Sequence, residues 1–289
     1  MAEVCVAAVR REFTRIKHLP PLSPTATRLL EVVADPEVDV DCLSGIICQD
    51  PGLSARILGL ANSAYFGQSR PINTVREAII RVLGLNMVKS LALGIAVAGA
   101  FDTSACKDFD LHGYWHTALG TALLSRLLAE RITPVQRPDA DSVYLCGLLH
   151  NLGTLFLAHV LPESLSRVYA QWQKQPALDL RSLEQEYLET DHLQAGEWLA
   201  RRWHLPDAVI QVIGYFDDEN YDGQYQSQIC VVTSASGWVE DYLRQEDSLL
   251  SEYDCLLHQS GLESEVLSAV EEKFRVQCEN LHAVTQMLF

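Results

Sequence analysis

Apolar residues recur at the 3.6-residue spacing of a helix along nearly the whole chain, and alternating strand patterns are scarce. Helix starts punctuate this periodicity. Ser23-Pro24 and Asp50-Pro51 each join a capping side chain to a proline whose fixed φ suits the first helical turn. Thr74-Val75-Arg76-Glu77 reads as a capping box, with Gly84 as the stop for the helix it opens. These signals predict short helices from Pro24 to Asp35, from about Val40 to Gln49, and from Pro51 to Asn62. Two more follow, through Leu83 and, capped by Asn86, to about Ala100. In the third of these, Leu53, Ile57, Leu60 and Ala61 make the inward stripe.

The second half keeps the same period. Asp110 is placed to cap a long helix to about Ala129, and a loop rich in Pro and Asp (132–141) precedes an apolar run from Val143 to His150. From Glu252 onward the pattern is again helical, with Glu271-Glu272-Lys273 expected on a solvated face. Leu281 to Phe289 are apolar enough to pack back on the body. The expectation is an all-α protein without a central sheet.

The stretch Gly147-Leu148-Leu149-His150-Asn151-Leu152-Gly153 carries the chemistry. An imidazole followed by a carboxylate would suit a divalent cation, but Asn151 offers only a neutral carbonyl oxygen. Three histidines lie on apolar stripes. His116 shares a face with Leu119, Leu123 and Leu127; His150 with Val143, Cys146 and Gly147; His192 with Ala195, Gly196, Leu199 and Trp203. A single histidine so placed is ordinarily a core residue with a hydrogen-bond partner. Three of them are expected to point inward and approach one another. Asn62-Ser63, between a core stripe and a turn, reads as a helix C-cap, with a buried polar contact that locks this helical lobe against the next as the alternative.

Composition sets the outer bounds. With 289 residues, 48% of them hydrophobic, a sizeable core is available. A net charge of -16 repels phosphate backbones and anionic lipid, so neither nucleic acid nor membrane is expected as a partner. The eight cysteines include no CxxC pair and read as reduced thiols of a cytoplasmic protein. Residues 1–13 carry charges on both sides of a very short apolar stretch, unlike a signal peptide, and Leu91 to Phe101 is too short to span a bilayer.

The phrases Leu19-Pro20-Pro21-Leu22, Asp50-Pro51-Gly52-Leu53-Ser54-Ala55-Arg56-Ile57-Leu58, Ala61-Asn62-Ser63-Ala64-Tyr65-Phe66 and 72–85 resemble the start of an HDOD domain. That family is a divergent regulatory branch of the HD-domain and HD-GYP phosphohydrolase superfamily. Tyr114-Trp115-His116-Thr117, the Gly147–Gly153 stretch, Glu186, His192, Gly196 and Trp203-His204-Leu205-Pro206 resemble its later landmarks. The resemblance covers nearly the whole chain. It implies an N-terminal helical lobe over 1–105 and an HD-like lobe over 106–289, together one unit of about 12–289.

In catalytic HD enzymes the metal ligands are a first His, a His-Asp pair and a distant Asp. By this resemblance His116 is the first ligand position and His150 the second, while Asn151 stands where the Asp should be. The distant Asp should fall near Ser234 to Ser236, a stretch without acid. Gly214-Tyr215-Phe216 stands where the multi-metal branch has a His-His pair. Glu186 could substitute only if it turned inward; beside Glu184 and Glu189 its expected place is a solvated face. The resemblance therefore implies a ligand-binding or vestigial pocket of His116, His150, Asn151, Glu186 and His192, with no catalytic residue, no metal ligand set and no cofactor. A residual divalent metal on neutral histidines stays open. The implied function is a bacterial signal-transduction module that binds signalling proteins or a small-molecule ligand. The alternative is a residual metal-dependent phosphohydrolase acting on a nucleotide or other phosphorylated small molecule.

Overall fold

A computed structural model describes residues 19–63, 66–68, 70–133, 137–175, 177–218, 221–253, 261–278, 281 and 285. The N-terminal stretch 1–13 and most of the tail beyond 281 lie outside the described residues. Among those described there are helices and no strand. The helices are α1 (Pro24–Ala34), α2 (Val40–Ile47), α3 (Pro51–Ala61), α4 (Val75–Ala78, continued by a π turn over Ile79–Leu83) and α5 (Leu85–Ala98). There follow α6 (Leu111–Ala129), α7 (Ala140–Leu149), α8 (Leu152–Val160), α9 (Pro162–Lys174) and α10 (Leu180–Leu188). The last are α11 (His192–Arg202), α12 (Asp207–Tyr215), α13 (Gln226–Arg244), a 3₁₀ turn over Leu250–Glu252 and α14 (Ser264–Cys278).

Ser23, Asp50 and Thr74 cap as their side chains dictate, whereas Asp110 stands at the start of α6 without a side-chain cap bond. Ser23 Oγ accepts from the Ala26 N–H at 3.1 Å, and Asp50 Oδ1 from the Leu53 N–H at 3.0 Å. Thr74 Oγ1 caps the Glu77 N–H at 3.1 Å, but the returning Glu77 carboxylate takes the Asn73 N–H instead of that of Thr74, so only half the capping box closes. Asn86 is not a cap: α5 begins one residue before it, and its carboxamide donates to Asp141 Oδ2 at 2.6 Å. Asn62 ends α3 and also clips the following loop. Its Nδ2 donates to the Ile72 carbonyl at 2.8 Å and its Oδ1 accepts from the Ile72 N–H at 2.8 Å, so the C-cap reading holds and these polar contacts stay within the N-terminal lobe rather than locking it to the next.

One apolar cluster runs from Leu29 to Leu281, and α5 packs against α1 on one side and α7 on the other. Trp115, Phe156, Trp238 and Phe274 are fully buried in it. Each large apolar side chain removed from water contributes on the order of 1.5–3 kcal/mol. Leu281 packs on α6, beside Gly120.

Three expectations change. The longest apolar stretch is Ala140–Val160, not Leu91 to Phe101; it is long and apolar enough to cross a membrane, but 83% of its most apolar window is buried and it is broken into α7 and α8. Glu271 is buried, and its Oε1 accepts the Leu250 N–H at 2.5 Å, while Glu272 and Lys273 are exposed. Cys42, Cys48, Cys106, Cys146 and Cys278 are free, whereas Cys230 is disulfide-bonded.

Candidate functional site

The site is assembled where helix backbones touch. A Cβ on Gly147 would stand 2.8 Å from the Ala122 Cα, so α7 can lie directly on α6 only because that position is glycine. At the start of α8 the contact is closer still. A Cβ on Gly153 would overlap the His192 carbonyl oxygen and stand 2.8 Å from the Gly196 nitrogen. The two glycines that flank His150 and Asn151 thus draw in α6 on one side and the first turn of α11 on the other.

His150 ends α7 and is 1% exposed. Its Nδ1 lies 2.7 Å from the Gly147 carbonyl. A carbonyl only accepts, so Nδ1 carries the proton, and the Ser236 hydroxyl of α13, 3.2 Å away, donates to Nε2. Burial drives the imidazole down to about 4 against the pull of the Gly147 carbonyl, and the positive charge of His192 lowers it further. His150 is therefore neutral at pH 7.

His192 opens α11 in the opposite electrical state. Its Nδ1 and its backbone N–H both reach Glu184 Oε2, at 2.6 and 2.9 Å. Burial opposes the charge on this ring, but the Glu184 carboxylate outweighs it and holds the imidazole above its ordinary range, with Asp191 adding to the effect. Glu184 is fully buried, and its Oε1 has no hydrogen-bond partner among the described residues. Asp191, 1% exposed, caps α11 through the Gln194 N–H at 2.8 Å. It also receives Gln185 at 2.9 Å and Arg181 at 3.2 Å, and Arg181 reaches on to Asp217 at 3.0 Å.

The Phe216 ring lies against both imidazoles, its centroid 4.8 Å from that of His150 and 6.1 Å from that of His192. Its backbone is tied to α13, because Thr233 Oγ1 donates to the Phe216 carbonyl and to that of Ile229. Asn151 is the residue from which α8 departs, and its Oδ1 accepts from the Thr154 hydroxyl.

His150, Asn151 and His192 are thus brought to one place, and His116 lies half-buried on α6, which packs against both α7 and α13. Glu186 is exposed and takes no part; the acid that turns inward is Glu184. Two residues along a helix rotate the side chain by roughly 200°, so these neighbours cannot share a face. The signal was present in the sequence: Glu184 continues the stripe of Leu180, Leu183 and Leu188 at spacings of four, one and four. Ser236 and Phe216 carried no signal in the helical pattern; only the resemblance pointed to their stretches, 234–236 and 214–216.

The fit to a divalent cation follows from these bonds. Asn151 Oδ1 accepts from Thr154, His192 Nδ1 is spent on Glu184, and a hydroxyl meets His150 Nε2. Among the described residues no three His, Cys, Asp or Glu side chains form a ligand set. A neutral imidazole, a second imidazole bonded to a buried acid, and an acid oxygen without a partner among the described residues lie about one aromatic ring.

The HDOD domain family model matches residues 19–218. A protein of Treponema pallidum (strain Nichols) is 30% identical over 201 residues, which are 70% of this chain and 38% of that protein. A candidate signal transduction protein from Marinobacter aquaeolei VT8 superposes with a TM-score of 0.79 at 27% identity, over 93% of this chain and 60% of the other. The chain thus spans less than two thirds of either. A candidate phosphohydrolase from Shewanella amazonensis SB2B superposes with a TM-score of 0.78 at 24% identity, over 98% of both chains, a likeness of fold alone.

Proposed function

The chain belongs to the HDOD domain family, and on that premise we propose that it is a bacterial signal-transduction module working by binding, with an HD site that no longer hydrolyses phosphate esters. The observation that carries this reading is the contact of Ser236 with His150 Nε2. At the place where the resemblance asks for a carboxylate, this chain supplies a neutral hydroxyl. Hard cations favour carboxylate oxygen, and a hydrolytic metal needs charge to hold it while leaving a water bound. Asn151, with its oxygen already engaged, supplies none. Phe216, in contact with both imidazoles, stands in the stretch where the resemblance would put the His-His pair of the multi-metal branch. The proposed partners are signalling proteins or a small-molecule ligand in the cytoplasm, with neither nucleic acid nor membrane bound, because the charge of -16 opposes both.

One observation favours the second reading, a residual metal-dependent phosphohydrolase acting on a nucleotide or other phosphorylated small molecule. Glu184 presents a carboxylate oxygen without a partner beside His192. Elemental analysis and a phosphoester screen on one preparation separate the two. The binding module holds no stoichiometric Zn, Mn or Fe and turns over neither cyclic dinucleotides nor generic phosphoesters. Stoichiometric metal with turnover that disappears in His150→Ala establishes the hydrolase instead. Metal binding that appears only in Asn151→Asp marks a hydrolase decayed at that residue.

A further inference from the structure

A second concavity, away from the two histidines, lies on the seam between the first helices and the later ones. It encloses about 300 Å³ and is walled by α1, α5, the start of α7 and the turn into α12. Its body is apolar: Leu30 and Val33 from α1 face Leu145 of α7 and Val209 of α12. The two acids are engaged. Asp139 caps α7 through the Ser142 N–H at 2.6 Å, and Asp141 receives Asn86 at 2.6 Å with the Arg126 guanidinium 3.5 Å away.

Lys89 is the cationic side chain of the lining. Lys89 Nζ places one of its three N–H groups on the Asp35 carbonyl at 3.2 Å and keeps two. Ser90, next to it in sequence and 5% exposed, also lines the cavity and offers a hydroxyl. His204, on the rim, adds a further ring nitrogen, held on a left-handed backbone with φ of 55°.

We propose that this cleft binds a small amphipathic anion, its charged head on Lys89 and Ser90 and its apolar body against Leu30, Val33, Leu145 and Val209. An ammonium paired with an anionic head in a partly desolvated cleft is a charge-assisted contact, stronger than a neutral one. The apolar body gains by leaving water. The proposal does not depend on whether the His150 site is catalytic.

Titration calorimetry of the full chain with octanoate, octyl phosphate and octylamine tests it. Octanoate or octyl phosphate is expected to bind saturably at one site per chain, the tighter of the two identifying a carboxylate or a phosphate head. Lys89→Gln, on a half-buried side chain, should weaken that affinity roughly tenfold or more. Ser90→Ala should weaken it several-fold without disturbing α5, as circular dichroism would verify. Three results would each overturn the proposal: no saturable binding of either anion, binding that both substitutions leave unchanged, or octylamine binding as tightly as the anions.

Discussion

His150 and His192 flank the same phenylalanine ring, yet they are opposites. The His150 socket offers a backbone carbonyl and a hydroxyl, with no charge to compensate for desolvation. Its ring is pushed down to about 4 and stays neutral. The His192 socket is somewhat more open, with its side chain 11% exposed, but Glu184 reaches its ring nitrogen at 2.6 Å and holds the imidazole above its ordinary range. Residue type and burial are therefore poor guides to charge. One carboxylate within hydrogen-bond reach decides it. One imidazole meets a hydroxyl at Nε2, and the other spends Nδ1 on a buried acid.

The largest test breaks both sockets together. Gly153→Ala drives a Cβ into the His192 carbonyl, where backbone rather than a flexible side chain must give way. A loss of at least ~4 kcal/mol is expected in urea unfolding, because neither helix can shift without opening the core. A near-neutral result would mean that α8 and α11 are not held in contact.

Removing the distinguishing acid comes next. Glu184→Ala leaves His192 without its partner and should destabilise the chain at pH 7 by roughly 3 to 5 kcal/mol. Carbon-detected NMR should then show His192 losing its proton at neutral pH, as His150 already has. If His192 titrates unchanged in Glu184→Ala, the contrast has another origin.

The two sockets also bend stability in opposite directions with pH. The unfolded chain binds the His150 proton near 6.5 and the folded chain only near 4. The unfolded state therefore gains protons first, and stability falls by about 3 kcal/mol as pH drops through that window. His192 works the other way. Its folded value is raised, so its contribution is complete below 6.5 and is lost as pH rises through the folded value. Unfolding across pH 4–8 should show the acid-side loss shrink in His150→Gln and the alkaline-side loss shrink in Glu184→Gln. A wild-type profile flat from 6.5 to 4 would contradict the neutral socket.

The smallest effect concerns Ser236. Ser236→Ala removes one hydrogen bond to His150 Nε2, and about 1 kcal/mol of stability should go with it. The imidazole should remain neutral, since burial and not this hydroxyl sets its state. A clear rise in its titration point in Ser236→Ala would give the hydroxyl a larger role.

What the sequence determined by itself is local. Helix type follows from the 3.6-residue period, and helix starts from Ser23, Asp50 and Thr74, because capping involves atoms only a few residues apart. The family was legible for a related reason, as its phrases are continuous, and the missing charge of Asn151 could be read directly. Asn86 was misread because it sits one position inside α5, where an asparagine near a helix start looks the same on paper whether it caps or reaches across to Asp141.

Only the tertiary structure decided the site. That Phe216 enters between two imidazoles, that Ser236 rather than Ser234 meets His150, and that α8 can touch α11 at Gly153 all depend on how separate helices cross. The opposite charges of His150 and His192 depend on it too. Both lie on apolar stripes of similar appearance, and the acid that separates them is contributed by a different helix, at a distance that helical periodicity does not encode.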